Sequence, residues 1–179
     1  IEEVKEEFKE LLPKQNIKIW NAISPTKECE EENKPNRKTS QLLREMFLSN
    51  LKPDIILISS LFEGYIGDAV LSIQEYKTKI PTVTILYDLI PFISPQKYLS
   101  HKPTSLWYNN KIDMLKKSNA LLSISNSAKK EAIDYLNFNE NSITNISTAV
   151  DTTIFKKTEV PSSFKEKYNI SKPFLMHTS

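Results

Sequence analysis

Short continuous runs of apolar residues alternate along this chain with longer stretches in which apolar residues recur every three or four positions. The continuous runs predict strands at residues 54–59, 82–87, 120–124 and 143–146, with a shorter one at 17–20. The run at 54–59 is apolar without alternation, as expected of a parallel strand covered on both faces.

The stretches with helical periodicity predict the helices between these strands. Three of them are predicted from apolar positions: Val4, Phe8, Leu11 and Leu12; Leu42, Leu43, Met46, Phe47 and Leu51; and Ala69, Val70, Ile73 and Tyr76. Thr39 or Ser40 is predicted to cap the second of these. Three further helices are predicted at residues 105–117, at residues 128–136 and, as a short one, near residues 164–168. Surface loops are predicted at residues 25–38 and 91–103. Alternating strands and helices with short links predict an α/β, Rossmann-like, three-layer domain with a mostly parallel sheet.

The only two glycines, Gly64 and Gly67, follow directly after the apolar run at 54–59. Glycine permits positive φ and lets a ligand approach the backbone without meeting a Cβ atom. Ligands of open α/β sheets bind at the carboxyl ends of the strands. The pair therefore marks either a ligand-binding loop or a tight turn without a ligand, and the spacing alone does not choose between them.

Composition excludes several classes of protein. With 179 residues, 39% of them apolar, the chain can bury a core, and its net charge of +2 hides interspersed charges of both signs. There is no basic stripe of the kind that binds nucleic acid. The acidic cluster at residues 28–32 is interpreted as solvated surface, and the single Cys29 within it cannot form an internal disulfide. Neither a signal peptide nor an apolar run of about 20 residues is visible, so a cytoplasmic location is expected.

Common catalytic signatures are also missing from the sequence. It contains no Gly-Lys-Ser/Thr phosphate loop, no triple-glycine dinucleotide turn, no Asp-x-Asp pair and no Gly-x-Ser-x-Gly elbow. His101 and His177 are far apart and have no cysteine partners, so no metal site is predicted.

Polar residues do occur where the predicted strands end. Glu63 and Asp68 flank the glycines, and Tyr87 and Asp88 follow the strand at 82–87. Ser125 and Ser127 follow the strand at 120–124. In a parallel sheet these positions converge on one edge, where carboxylates and hydroxyls suit a polyhydroxylated ligand.

Each of these residues also has a purely structural interpretation. Asp88 can cap a turn, Ser125 and Ser127 can cap a helix, and Asp68 can be a helix N-terminal residue stabilised by the helix dipole. For each residue taken alone, the structural interpretation is favoured. Because the residues share one location, the structural and functional interpretations are equally favoured for the set.

At these residues the sequence resembles bacterial family 4 glycosyltransferases. Residues 57–70 are similar to the family's second-strand loop, and residues 82–91 to a strand that ends in an aromatic-Asp-Leu-Ile-Pro loop. Residues 122–131 resemble its Ser-x-Ser strand-to-helix junction, and residues 145–155 its crossing segment. The four segments occur in the family's order.

The resemblance implies half of a GT-B architecture, in which two Rossmann-like domains face each other across a cleft. Residues 1–155 would form the N-terminal, acceptor-side domain, and residues 156–179 a linker and the first strand of a truncated C-terminal, donor-binding domain. The implied reaction is a retaining, metal-independent transfer of a mannose-like or glucose-like hexose. The hexose would move from a nucleotide-sugar, which is a co-substrate rather than a cofactor, to a glycan or lipid-linked glycan acceptor in cell-surface polysaccharide synthesis. The implied location is the cytoplasm, with room for peripheral contact at the inner face of the membrane.

The resemblance also assigns roles to individual residues. Tyr87 and Asp88 would orient the attacking hydroxyl. The acceptor pocket would be shaped by Glu63, Gly64, Gly67 and Asp68, with hydroxyls from Ser125 and Ser127.

This chain departs from the family pattern at three points. Many members have histidine where this chain has Tyr87, the usual glycine of the crossing segment is Ala149, and the family's first strand with its glycine-rich loop is not visible. Because the donor-site residues of the family lie in its C-terminal domain, these 179 residues alone are expected to be inactive. The alternative is a non-catalytic α/β module that binds a glycan or a protein.

Overall fold

The computed structural model describes residues 6, 8–76, 79–153, 156 and 161–172. The chain forms two compact units, Ile1–Ser147 and Thr148–Ser179. The first unit contains the sheet and the candidate site. Within the described part of the second unit lies one short helix, Ser162–Lys167. The predicted domain boundary at residue 155 stays a prediction.

A four-stranded, fully parallel sheet organises the first unit. The strands are β1 (Ile56–Ile58), β2 (Thr82–Leu86), β3 (Ala120–Ser123) and β4 (Ile143–Asn145). They lie side by side in chain order, with Ile58 opposite Thr84 and Leu86 opposite Ser123. The predicted α/β class with a parallel sheet is therefore confirmed, and all carboxyl ends of the strands lie at one edge.

Helices of very different length accompany this sheet in the first unit. Their bounds are α1 (Lys34–Asn50), α2 (Ile90–Ile93), α3 (Pro95–Tyr98), α4 (Lys102–Leu115) and α5 (Asn126–Leu136). The helix of the second unit is α6 (Ser162–Lys167). Pro35, Pro91 and Pro103 each stand in the first turn of a helix, where the missing amide hydrogen costs nothing. Helix α5 ends at Asn137, which adopts the left-handed conformation typical of a helix C-terminus.

The core lies where α4 and α5 pack on the central strands. Leu86 and Leu121 of the strands are almost completely buried, as are Ile112 and Leu115 of α4 and Ala132 of α5. Burial of one such leucine side chain stabilises the fold by about 1.5–3 kcal/mol. Helices α4 and α5 are thus held against the sheet by a shared apolar core.

Several elements differ from the sequence prediction. Residues 17–20 form no strand, and residues 69–76 form no helix. The predicted loop at 25–38 contains a 3-10 turn (Glu31–Asn33) and the first turn of α1, and the predicted loop at 91–103 contains most of α2, all of α3 and the start of α4. Thr39 and Ser40 therefore do not cap α1; Ser40 is buried inside it and accepts a hydrogen bond from the Ile23 amide at 2.9 Å.

The face of helix α1 that is buried is opposite to the face that was predicted to be buried. Gln41 and Glu45 are buried, whereas Leu43 and Met46 are exposed. The reason is the irregular segment 71–76, whose backbone groups need partners that a helix would have supplied. Glu45 accepts the amide hydrogens of residues 75 and 76 at 3.1 and 2.6 Å, and Gln41 donates to the carbonyl of residue 71 at 3.3 Å.

Strand β1 is an edge strand in the described structure, with one face open. Leu57 is 56% exposed, whereas Ile58 is buried. The expectation that this strand is covered on both faces is therefore wrong for Leu57. The continuous apolar run predicted the strand correctly, but it did not predict how much of the strand is buried.

Two predicted elements extend beyond the described residues. The helix predicted from Val4 to Leu12 lies partly outside them, and so does the segment 156–179 that was predicted as a linker and a first strand. Near the first, the amide of Leu12 donates to the carbonyl of Phe8 at 2.8 Å. None of the helices in the described part of the chain is long and apolar enough to cross a membrane.

Candidate functional site

A cavity of about 260 Å³ lies at the carboxyl ends of β1 and β2. Its walls come from the loop after β1, the loop after β2 and helix α4. The lining residues are Ser60, Leu61, Phe62, Tyr87, Asp88, Pro91 and Tyr108. The pattern of strand ends predicted Tyr87 and Asp88 at this edge, but it did not single out Ser60, Phe62 or Tyr108.

Asp88 presents its carboxylate to this cavity from an exposed turn. Its Oδ1 accepts a hydrogen bond from the Ile90 amide at 3.0 Å, so the predicted turn-capping role is confirmed. The described residues offer no hydrogen bond to Oδ2, which leaves that oxygen as an acceptor for a ligand hydroxyl. Capping and ligand binding are therefore compatible, because they use different oxygens of one carboxylate.

Tyr87 precedes Asp88 and is 52% exposed at the cavity wall. A half-exposed tyrosine keeps both its ring face and its hydroxyl available to a ligand. Its hydroxyl can donate a hydrogen bond or accept one.

Tyr108, on α4, forms the buried wall of the cavity. Burial raises the pKa of its hydroxyl strongly, and the negative charges of Asp88 and Glu131 raise this pKa further. A hydrogen bond with the backbone of Phe92 lowers the same pKa, but by less. The phenol is therefore neutral at physiological pH. It is influenced by two carboxylates without carrying a charge of its own.

An aromatic cluster extends the wall from the cavity along α4. The rings of Phe62 and Tyr108 lie 4.9 Å apart, and those of Tyr65 and Trp107 lie 5.2 Å apart. The hydroxyl of Thr104 donates to the hydroxyl of Tyr65 at 3.0 Å. These contacts bind the loop after β1 to α4, and they give the cavity the aromatic face typical of small-ligand sites.

The two glycines play different structural roles. Gly64 is buried at φ +89°, and a Cβ atom there would lie only 2.2 Å from the carbonyl oxygen of Ala69. Gly67 is exposed, and a Cβ atom there would meet nothing within 4 Å. Only Gly64 is thus required by the backbone, which supports the tight-turn interpretation for this position. Neither glycine lines the cavity.

The segment after the Gly64 turn is fastened to the chain near residue 28. The amide of Glu28 donates to the carbonyl of Gly64 at 2.8 Å, and the amide of Cys29 donates to the carbonyl of Tyr65 at 2.9 Å. The Glu28 carboxylate lies 2.8 Å from the fully buried Nζ atom of Lys111, on α4. Glu28 is therefore not part of a solvated acidic surface, as its sequence neighbours had indicated.

Burial lowers the pKa of Lys111, while the charge of Glu28 and its hydrogen bond raise it. Arg37 lowers this pKa further by charge repulsion, whereas the charge of Glu63 raises it. The net direction is downward. A buried ion pair of this kind costs desolvation energy and orients the elements that carry it.

Asp68 and Glu63 are both hydrogen-bonded to other residues of the chain, Asp68 to a distant one and Glu63 to a near one. Oδ1 of Asp68 accepts the Thr26 amide hydrogen at 2.6 Å, and the Thr26 hydroxyl donates to the Asp68 carbonyl at 2.9 Å. No helix follows Asp68, so its interpretation as a helix N-terminal residue is wrong. Glu63 is exposed and accepts a hydrogen bond from the Ser60 hydroxyl at 2.9 Å.

Ser125 and Ser127 begin helix α5. Oγ of Ser125 accepts the amide hydrogen of Ala128 at 3.1 Å, so this serine is the N-cap of α5. Ser127 is exposed and donates to Oε1 of Glu131 at 3.4 Å. The structural interpretation of Ser125 is confirmed, and Ser127 contacts the next turn of its own helix.

The structure thus brings together only part of the predicted set. Tyr87 and Asp88 line one cavity, Glu63 reaches it through Ser60, and Ser127 connects to the Asp88 loop through Glu131. Gly64 and Asp68 are fastened to residues 26–28 instead. The described part of the chain holds no group of three or more metal-ligating side chains.

A larger cavity of about 830 Å³ lies between α1 and α4. Its walls carry charges of both signs, and both Lys38 and Lys117 pair with Glu75 there. None of the predicted site residues lines it. Lys38, Lys117 and Glu75 thus satisfy one another's charges within this cavity.

A parallel sheet with a cavity at its carboxyl edge defines the chain as an α/β, Rossmann-like domain. Three proteins of Escherichia coli, each named "Serotype-specific mannosyltransferase WbdA", are 31% identical to it over 98% of this chain. The chain spans only about a fifth of their length, with coverage of 22%, 22% and 21%. No family model matches the chain, and no solved structure matches it.

Proposed function

We propose that these residues form the acceptor-side domain of a retaining GT-B glycosyltransferase in polysaccharide synthesis. The enzyme transfers a mannose-like or glucose-like hexose from a nucleotide-sugar to a glycan acceptor. The observation that carries the proposal is the position of Asp88. Its carboxylate has one oxygen without a hydrogen bond among the described residues, and it faces a cavity at the carboxyl edge of the sheet.

The chemistry of the cavity suits a sugar. The free oxygen of Asp88 accepts a hydrogen bond from a sugar hydroxyl, and the aromatic faces of Phe62 and Tyr87 cover the apolar side of a sugar ring. The likeness to mannosyltransferases over nearly the whole chain supports the same reading. The cavity volume of about 260 Å³ lies just below the range of about 300–1,000 Å³ that is typical of small-ligand sites, so the cavity suits a small part of a glycan.

In this proposal Asp88 and Tyr87 orient the attacking hydroxyl, and Glu63 contacts the acceptor beside Ser60. Orientation of a reacting group contributes strongly to rate, and a misplacement of about 1 Å can cost on the order of a hundredfold. Gly64, Gly67 and Asp68 shape the loop, and Ser125 and Ser127 set the start of α5. The nucleotide-sugar is held mainly outside these 179 residues.

The test compares Asp88→Asn with wild type in the full-length protein that carries these residues. Release of nucleoside diphosphate is measured with GDP-mannose and UDP-glucose as donors and an α-mannobioside as acceptor. Asparagine keeps the Oδ1 acceptor for the Ile90 amide but removes the charge, so folding is retained. We expect kcat to fall on the order of a hundredfold.

The matched control is Asp54→Asn, because Asp54 is exposed and lies at the amino end of β1, away from the cavity. It should turn over like wild type. Equal activity of Asp88→Asn and wild type would refute the role of Asp88. If the full-length protein binds the mannobioside but transfers no hexose from either donor, the non-catalytic glycan-binding module is the better description.

A further inference from the structure

The backbone immediately after Asp88 is held by a carboxylate from a different helix. Leu89 is fully buried, and its amide donates to Oε2 of Glu131 at 2.8 Å. The next amide, of Ile90, donates to Asp88 itself at 3.0 Å. Two consecutive amide hydrogens are thus satisfied by two carboxylates. The one from Glu131 comes from 42 residues further along the chain.

Glu131 is in turn held in place by the helix that carries it. Helix α5 starts at the Ser125 cap and buries Ala128 and Ala132 on both sides of Glu131 in sequence. The second oxygen of Glu131 accepts the hydroxyl of Ser127 at 3.4 Å, one turn earlier. The carboxylate is therefore contacted at both oxygens and mounted on a rigid element.

The Leu89 amide has no other hydrogen-bond partner among the described residues. A buried amide that loses its partner destabilises the fold, so the loop would move to reach water. Asp88 is one residue away and would move with it. The negative charges of Asp88 and Glu131 both raise the pKa of the Tyr108 hydroxyl, which agrees with this arrangement.

We infer that Glu131 is a positioning residue for the reaction, which fixes the Asp88 loop through the Leu89 amide and so sets where the Asp88 carboxylate meets the acceptor. Glu131 does not line the cavity and touches no reacting atom. This inference rests on the proposed function. It assigns a role to a residue that the pattern of strand ends did not single out.

The test uses the full-length protein with Glu131→Ala, Glu131→Gln and, as a matched control, Asp134→Ala. Asp134 is an exposed acid one turn later on the same helix. Kinetics are measured with GDP-mannose or UDP-glucose and an α-mannobioside. Hydrogen–deuterium exchange is followed in the peptide that covers residues 87–93.

Glu131→Ala should lower kcat about 10–100-fold, with a smaller change in the KM of the donor, because the loop is misplaced rather than removed. Exchange at the Leu89 amide should become faster in the same variant. Glu131→Gln should restore both readouts to within about threefold of wild type, because its amide oxygen still accepts the Leu89 hydrogen bond. Asp134→Ala should match wild type in both.

Two results would overturn the inference: a Glu131→Ala enzyme with wild-type kcat and wild-type exchange, or a Glu131→Gln enzyme as slow as Glu131→Ala. The second result would show that the charge matters and the hydrogen bond does not. If wild type itself transfers no hexose, the proposed function fails. The exchange measurement then decides separately whether Glu131 holds the loop.

Discussion

Substitution of Gly64 by alanine should destabilise the domain far more than the same change at Gly67. At Gly64 an alanine would have to adopt φ +89°, in a region that costs an L-residue about 1–2 kcal/mol. Its Cβ atom would also lie 2.2 Å from the Ala69 carbonyl oxygen, a backbone atom that can yield only if the loop shifts. Such overpacking typically costs about 1–3 kcal/mol. We therefore expect a loss of about 2–5 kcal/mol in the free energy of unfolding.

The assay is urea unfolding followed by tryptophan fluorescence, since Trp107 packs beside Tyr65 in the same loop region. With an m value of about 2 kcal/mol/M, the midpoint for Gly64→Ala should fall by about 1–2.5 M. Gly67→Ala should be as stable as wild type or more stable by up to about 1 kcal/mol. The added Cβ atom would meet no other atom within 4 Å, and alanine lowers the conformational entropy of the unfolded chain. Equal midpoints for the two variants would refute the reasoning.

Two further predictions concern α4 and α5. Because the pKa of Tyr108 is raised in the folded state, its neutral form contributes stability that is complete below about pH 10 and is lost as the pH rises further. Urea unfolding between pH 8 and 11 should show this loss in wild type and a smaller one in Tyr108→Phe, with the half-exposed Tyr135→Phe behaving like wild type. Ser125→Ala should lower the free energy of unfolding by about 1 kcal/mol through loss of the α5 N-cap. In thermal or urea melts, Ser127→Ala should stay within about 0.5 kcal/mol, and equal losses for the two serines would contradict the assigned cap.

The four strands after residue 50 were predictable because each is a short apolar run flanked by polar or turn-forming residues. The start of α5 was also close to its prediction, since Ser125 has the side chain that an N-cap requires. In both cases the determining interactions are local. They depend on residues within a few positions of one another.

The failures have a common physical origin. Residues 69–76 carry helical periodicity, yet Asp68 bonds to Thr26 and the backbone that follows bonds to α1. The apolar residues of α1 were expected inside, but the polar partners required by that irregular backbone occupy the inner face instead. Contacts between residues 30 or more positions apart leave no trace in a local pattern.

The candidate site likewise contains residues that the local sequence predicts and residues that only distant contacts bring together. The sequence by itself determined that Tyr87 and Asp88 follow a strand of a parallel sheet, because a strand and the residues after it are specified by neighbouring positions in the chain. Ligands of such sheets bind at the carboxyl ends of the strands, so these two residues could be predicted as candidates. Only the tertiary structure decided that Tyr108 forms the opposite wall and that Glu131 holds the Leu89 amide. It also decided that Gly64 is required by its backbone whereas Gly67 is not. Each of these depends on which atoms lie within a few ångströms in space, and that is fixed by the packing of whole elements rather than by neighbours in the chain.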